Sequence, residues 1–197
     1  MSELVVSTSK MSVELNDDCV LKTFRPVYGF KKRFETEKQA LFLLEGTKGV
    51  PQLLSFSDED YFLKISRLRG NSEIQYSDNA LQQLRSVINV TIEKGIARHS
   101  LPIRDILVDE KDNIGVVDFE RATLKKNCSF IFWYAATLVT RFHLIRFIYD
   151  QNPKLLSFTE SILVRIGLFF RQIFAGYQLI RDAIRNAYRK FFSPKVE

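Results

Sequence analysis

Two aspartates thirteen positions apart carry most of the chemical signal in this chain. Asp105 lies in Arg104-Asp105-Ile106-Leu107-Val108, and Asp118 in Gly115-Val116-Val117-Asp118-Phe119-Glu120. Each sits where a short apolar run begins or ends, so a pairing of the two runs would bring both carboxylates to one edge. Paired carboxylates suit a hard divalent cation of the magnesium type, which takes oxygen ligands and leaves positions for water and phosphate. Phosphate chemistry at a two-carboxylate cradle is therefore the expectation. The bland reading is a polar hairpin whose aspartates cap turns.

The elements that would position these acids follow from periodicity. Leu4-Val5-Val6, Met11 to Leu15 and Cys19 to Phe24 read as short strands, with a Ser7-Thr8-Ser9-Lys10 turn and an Asn16-Asp17-Asp18 turn between them. From Phe34 the period changes to helical, with Phe34, Leu41 and Leu44 on one face and an end near Gly46. Leu53 to Phe56 and Tyr61 to Ile65 read as a hairpin around Ser57-Asp58-Glu59-Asp60. Ser77 is placed to cap a helix bearing Leu81, Leu84, Val87 or Ile88, Thr91 and Ile92, which Gly95 closes. Asp109 to Asn113 has the composition of a tight turn between the two acidic runs. From about Phe130 onward the chain reads as helical. Strands, helix, strands, helix, hairpin and helices make an α+β arrangement in two lobes that cross near residues 66–72.

The 197 residues suffice for one domain or a two-lobed unit, and 46% apolar with 26% charged residues is an ordinary folded composition. Charge is uneven. Residues 1–120 hold 16 Lys and Arg against 19 Asp and Glu, whereas residues 121–197 hold 13 against 4. Most of the 17 Phe crowd toward that basic end, which suggests either a face for something anionic or a solvated helix surface. Packing in the core is the expected use of most of these Phe side chains. Cys19 and Cys128, far apart, read as reduced thiols, and two histidines are too few for a His/Cys metal site. Met1-Ser2-Glu3-Leu4 lacks a secretory pattern, so a cytoplasmic location is expected. The longest uncharged run, Cys128 to Thr140, is thirteen residues, short of the roughly 20 that span a bilayer.

Taken together, residues 5–125 resemble the protein-kinase-like superfamily, and small bacterial members in particular. The resemblance implies a minimal bilobal fold: an N-lobe over 1–68 with a small antiparallel sheet and one helix, a C-lobe segment over 69–127, and a basic helical part over 128–197. It assigns Lys22 to the strand lysine that meets nucleotide phosphates and Glu37 to the helix acid that holds it, with Glu35 as the fallback. Asp105 takes the place of a metal-binding Asn in the catalytic loop, Asp118 that of the Asp in the Asp-Phe-Gly element, and Glu120 replaces the Gly. ATP and Mg²⁺ are the implied cofactors, and the backbone at Arg67 and Leu68 would meet adenine.

Two positions depart from that pattern. Ser100 stands where a catalytic Asp is expected, five before Asp105, and His99 beside it is the available proton acceptor. The Ser7-to-Lys10 turn lacks the glycines that let backbone approach phosphates, so Lys10 would contribute charge instead. Reading Arg104-Asp105 as the catalytic Asp would displace both metal positions and is rejected. A general base contributes about 10²–10⁴-fold to such reactions, so its loss slows the chemistry without removing the site. The basic, Phe-rich end resembles in outline the lipopolysaccharide core kinases, which implies a glycolipid sugar or a protein hydroxyl as acceptor, with peripheral contact to an anionic inner membrane. A pseudokinase that binds nucleotide or a protein partner without transfer is the alternative, and nucleic-acid binding ranks last.

Overall fold

The computed structural model describes residues 4–72, 75–172 and Arg181. Five antiparallel strands form the first sheet in the order β1-β2-β3-β5-β4: β1 (Leu4–Ser7), β2 (Met11–Leu15), β3 (Cys19–Phe24), β4 (Leu53–Ser57) and β5 (Phe62–Ser66). Thr8 closes the first turn by accepting from the Lys10 and Met11 amides through its hydroxyl, as short hydroxyl side chains do in turns. The pairing of β3 with β5 sets Lys22 opposite Leu63.

Helix α1 (Phe30–Leu43) packs on this sheet and begins four residues before the expected start at Phe34. Gly29, at φ 75°, turns the chain into the helix, a conformation that costs a residue without Cβ little. Phe30 then stacks edge-on against Tyr61 at 4.8 Å between ring centres, which ties down a first turn whose Lys-Lys-Arg run hides the apolar period. Phe34 is fully buried between Phe24 and Tyr61.

Helix α2 (Asp78–Glu93) is the centre of the second lobe. Ser77 caps it by accepting from the Ala80 amide at 3.0 Å, and Gly95, at φ 82°, ends it. Ala80, Leu81, Leu84, Val87, Ile88 and Thr91 form its buried stripe. The acidic runs do pair, as a hairpin of β7 (Ile106–Val108) and β8 (Ile114–Val116), with Ile106 opposite Val116. Two two-residue strands, β6 (Ile96–Ala97) and β9 (Thr123–Leu124), pair antiparallel on either side of the hairpin. They are too short to leave a period-two pattern. Helices α3 (Phe130–Gln151) and α4 (158–172) follow.

The segment between the lobes is pinned to the hairpin. Asn71 and Val108 exchange backbone hydrogen bonds of 2.9 and 3.0 Å. Gly70, at φ 129°, passes so close that a Cβ there would strike the Val108 carbonyl. A second tie runs from the Val116 amide to the Gly49 carbonyl, 2.8 Å. One apolar core crosses both lobes, from Phe34, Leu41 and Leu63 to Ile88, Ile106 and Ile148.

The expected burial of the late Phe residues is corrected by the structure. Of those in α3 and α4, Phe147 is buried and Phe142 half-buried, while Phe130, Phe132, Phe158, Phe169 and Phe170 are exposed. Only one face of each helix meets the lobe: the three Phe residues of α4 lie on the side away from its buried Val164, and those of α3 are spread around that helix. From Phe170 onward the sequence also carries apolar residues at three- or four-residue steps, Phe174, Tyr177, Ile180, Ile184, Ala187 and Phe191, which read as one helical stripe and, apart from Phe170, lie outside the described residues.

Candidate functional site

Register places the two aspartates. Asp105 ends a tight turn (Ile103–Asp105) after Pro102 and its carbonyl accepts from the Val117 amide at 2.9 Å, which sets it beside the strand that delivers Asp118. Asp118 itself has φ 68°, left-handed and strained for a residue with a Cβ, a conformation that concentrates at functional sites. Its Oδ1 accepts from the Glu120 amide at 3.4 Å, a long bond.

From the other lobe, Lys22 Nζ donates to Glu37 Oε1 at 2.6 Å, with the Lys22 side chain 10% exposed and that of Glu37 1%. Glu35 bonds Lys38 instead, at 2.8 Å, so the fallback partner points elsewhere. Burial acts to lower the pKa of the Lys22 ammonium, but the Glu37 carboxylate, with Asp118 and Glu120 behind it, leaves it above its ordinary value. Lys22 is thus a fixed cation between Glu37 and the Asp118 element. Glu37 Oε2 is buried without a hydrogen-bond partner.

A cleft of about 550 Å³ is lined by Asp118 and Glu120, whose carboxylates act on Lys22, while Lys22 and Glu37 themselves are buried and do not line it. The structure brings Lys10, His99, Ser100, Asp105 and Asp118 to its wall. Lys10 reaches it from the β1–β2 turn, and Arg104 and Arg121 add positive charge. His99 and Ser100 are exposed, and His99 Nε2 is 2.7 Å from Thr123 Oγ1. Arg67 and Leu68 are not brought to this cleft. They line a separate cavity of about 400 Å³ with Asp17, Arg69 and Gly70. The Arg67 amide donates to the Asp18 carbonyl at 3.0 Å, and its Nη1 donates to the Asn16 carbonyl at 2.8 Å.

Two arginines that the sequence reading passed over complete the site. Arg98, 5% exposed, donates from Nη2 to Asp105 Oδ2 at 2.7 Å and from Nη1 to the Val117 carbonyl at 2.8 Å. Its guanidinium also lies 5.1 Å from the centre of the Phe119 ring. Burial pushes its pKa down despite Asp105 and Asp118. Burial likewise pushes Asp105 up to about 6, against the pull of Arg98, with repulsion from Asp118 adding to the rise. The other arginine is Arg33, four residues before Glu37 on the same face of α1. Its Nε lies 3.7 Å from Glu120 Oε2, an ion pair across the two lobes. The position of Arg33 relative to Glu37 was the available signal, and it requires α1 to begin at Phe30.

Among the described residues no three His, Cys, Asp or Glu side chains converge to hold a metal on their own. The donor set still fits a divalent cation that takes its remaining ligands from phosphate and water: Asp118 offers oxygen at the cleft wall, and Asp105 offers Oδ1, which the exposed Arg104 Nε approaches only to 3.7 Å while Arg98 holds Oδ2.

The fold and the inter-lobe cleft place the chain in the protein-kinase-like fold class, as a small bilobal α+β representative. No protein-family model matches the sequence, and neither does any curated protein. Among solved structures the chain is similar to WbdD crystallised with the kinase inhibitor LY294002, at 15% identity and a TM-score of 0.55 over 76% of this chain. It spans 37% of that WbdD chain, and the likeness at this identity is one of fold.

Proposed function

We propose that the chain is an ATP- and Mg²⁺-dependent phosphotransferase of atypical kinase type, acting on a sugar hydroxyl of lipopolysaccharide or on a protein hydroxyl. The observation that carries this reading is the buried Lys22–Glu37 pair, whose ammonium Asp118 helps to hold above its ordinary pKa from the other lobe. Residues 15 and 96 positions away from Lys22 in sequence thereby act on one ammonium group.

In this reading Lys22 meets the phosphate oxygens and Glu37 keeps its ammonium from turning away, since a lysine is otherwise a flexible point charge. Lys10 covers the phosphates from above. Asp118 and Asp105 would hold the magnesium ion, which when bound supplies neutralising charge to the phosphates. Arg33, through Glu120, holds α1 against the second lobe and so keeps Glu37 in place. The acceptor hydroxyl approaches past Ser100, and its proton has His99 as the nearby titratable group. The adenine contact at Arg67 and Leu68 belongs to the same proposal but draws no support from the cavity those residues line.

One observation favours the alternative of a nucleotide-binding pseudokinase: Arg98 already occupies Asp105 Oδ2. Two measurements separate these readings. ATP with Mg²⁺ is expected to raise the melting temperature, and Asp118→Ala to abolish the rise; a rise that survives the substitution overturns the metal assignment. Radiolabel transfer from ATP to lipopolysaccharide or to protein then identifies the enzyme, and its absence with every divalent metal tried identifies the pseudokinase.

A further inference from the structure

The outer faces of α3 and α4 form a continuous apolar surface. On α3 the buried stripe runs through Trp133, Ala136, Thr140 and Leu144, so the opposite row, Ile131, Tyr134 and Leu138, faces out at 81%, 58% and 50% exposure. One turn beyond Leu138 stands Phe142, against which α4 packs so tightly at Gly167 that a Cβ there would overlap the Phe142 ring. Leu163, Ile166 and Phe170 flank Gly167 at helical spacing and are 51%, 47% and 62% exposed. The glycine therefore joins two exposed rows into one face. Twelve large apolar side chains are exposed between residues 130 and 170, and Ile131, Tyr134, Leu138, Leu163, Ile166 and Phe170 make up these two rows. Large exposed apolar patches on a folded chain mark interaction surfaces.

The charges that α3, α4 and the turn before them bring to this face are mostly cationic, with Glu93 of α2 beside Arg141 and Leu163 at one edge. Residues 121–172 contain eight Lys and Arg and two acids, Asp150 and Glu160. Both acids are ion-paired, with Arg146 and Arg85 respectively. Lys125, Lys126, Arg141, Arg165 and Arg171 are exposed, and none has a carboxylate partner among the described residues. Apolar and aromatic side chains with a mostly cationic rim match the boundary between acyl chains and anionic headgroups. No helix among the described residues is long and apolar enough to cross a membrane, which leaves a face that lies on one.

We infer that the α3–α4 face docks on an anionic lipid bilayer. The chain runs from the cleft wall at Ala122 through β9 and the Lys125–Asn127 turn straight into Phe130, so docking holds the cleft mouth, with Lys10, Arg104 and Arg121, close to the headgroups. An acceptor borne by a lipid would reach the cleft without leaving the surface. That last step rests on the phosphotransferase reading, whereas docking itself does not.

Flotation of the full chain with vesicles tests docking without nucleotide. Binding is expected to phosphatidylcholine vesicles containing phosphatidylglycerol, with a loss of about tenfold between low and high salt as screening shortens the reach of the cations. Ile131→Glu combined with Ile166→Glu is expected to weaken binding at least about tenfold with an unchanged melting curve, both sites being exposed. Leu54→Glu, on the exposed side of β4, is expected to leave binding intact. The inference is overturned if no vesicle binds, if the double variant binds like the parent, if binding disappears only when residues 173–197 are removed, or if light scattering shows that the face instead pairs two copies of the chain.

Discussion

Replacing Arg98 with Met tests the electrostatics of the site directly. The Arg98 and Asp105 side chains are 6% and 10% exposed, so the substitution leaves a carboxylate in a desolvated place with only the solvent-screened Arg104, 3.7 Å from its Oδ1, as a neighbouring guanidinium. Breaking a buried pair from one side costs about 3–5 kcal/mol, and at this chain length each kcal/mol moves the melting temperature by about 2–4 °C. A fall of roughly 6–20 °C is expected at pH 8. The pH dependence gives the sign. The folded pKa of Asp105, about 6, exceeds its ordinary 3.8, so the folded chain holds a proton that the unfolded chain has already lost. Ionising this group therefore removes up to about 3 kcal/mol of stability as pH rises from 4 to 6. Without Arg98 the pKa climbs further, and the loss continues through neutrality. At pH 5 Asp105 is largely neutral in both proteins, and the deficit shrinks to about 1–2 kcal/mol for the Val117 carbonyl left unpaired. Adding Asp105→Asn to Arg98→Met is expected to restore most of the stability at pH 8, since it removes the stranded charge. Differential scanning calorimetry across pH 5–8 reads all three. A fall of under 2 °C at pH 8, or one of equal size at pH 5, would refute the reasoning.

Glu37→Gln removes the partner that keeps the Lys22 pKa raised. The chain is expected to lose about 3 kcal/mol of stability, and Lys22 to become more readily acetylated at pH 8, measured by mass spectrometry. Unchanged acetylation would mean that Glu37 does not control the ammonium. Gly70→Ala forces a Cβ into the Val108 carbonyl at φ 129°, so a loss of at least about 1–3 kcal/mol is expected. Faster hydrogen exchange at the Asn71 and Val108 amides would locate it there, and unchanged exchange would show that the pinning of the inter-lobe segment does not depend on this glycine.

Local pattern carried much of the architecture. The strands from Leu4 to Phe24, the cap at Ser77, the stop at Gly95 and the Asp109–Asn113 turn were legible because each depends on side-chain alternation or on a residue's own backbone preference. The start of α1 was not, because tertiary contact between Phe30 and Tyr61 outweighs a cationic first turn. The strands β6 and β9 were not legible either, since two residues cannot show a period. For the site, spacing put Asp105 and Asp118 on one hairpin, and the resemblance paired Lys22 with Glu37. Arg98 gave no local signal: an arginine after Ile96-Ala97 is unremarkable until the Asp105 turn folds over it.

Amino-acid order alone determined which segments alternate, which coil and where they turn, for those are preferences of neighbours along the chain. Only the tertiary structure decided that Arg98 would hold one of the two aspartates, that Arg33 would meet Glu120 across the lobes, and that Phe130, Phe132, Phe158, Phe169 and Phe170 would face outward. Each of these depends on desolvation and on charges brought together from distant positions, and such energies do not exist until the chain has folded.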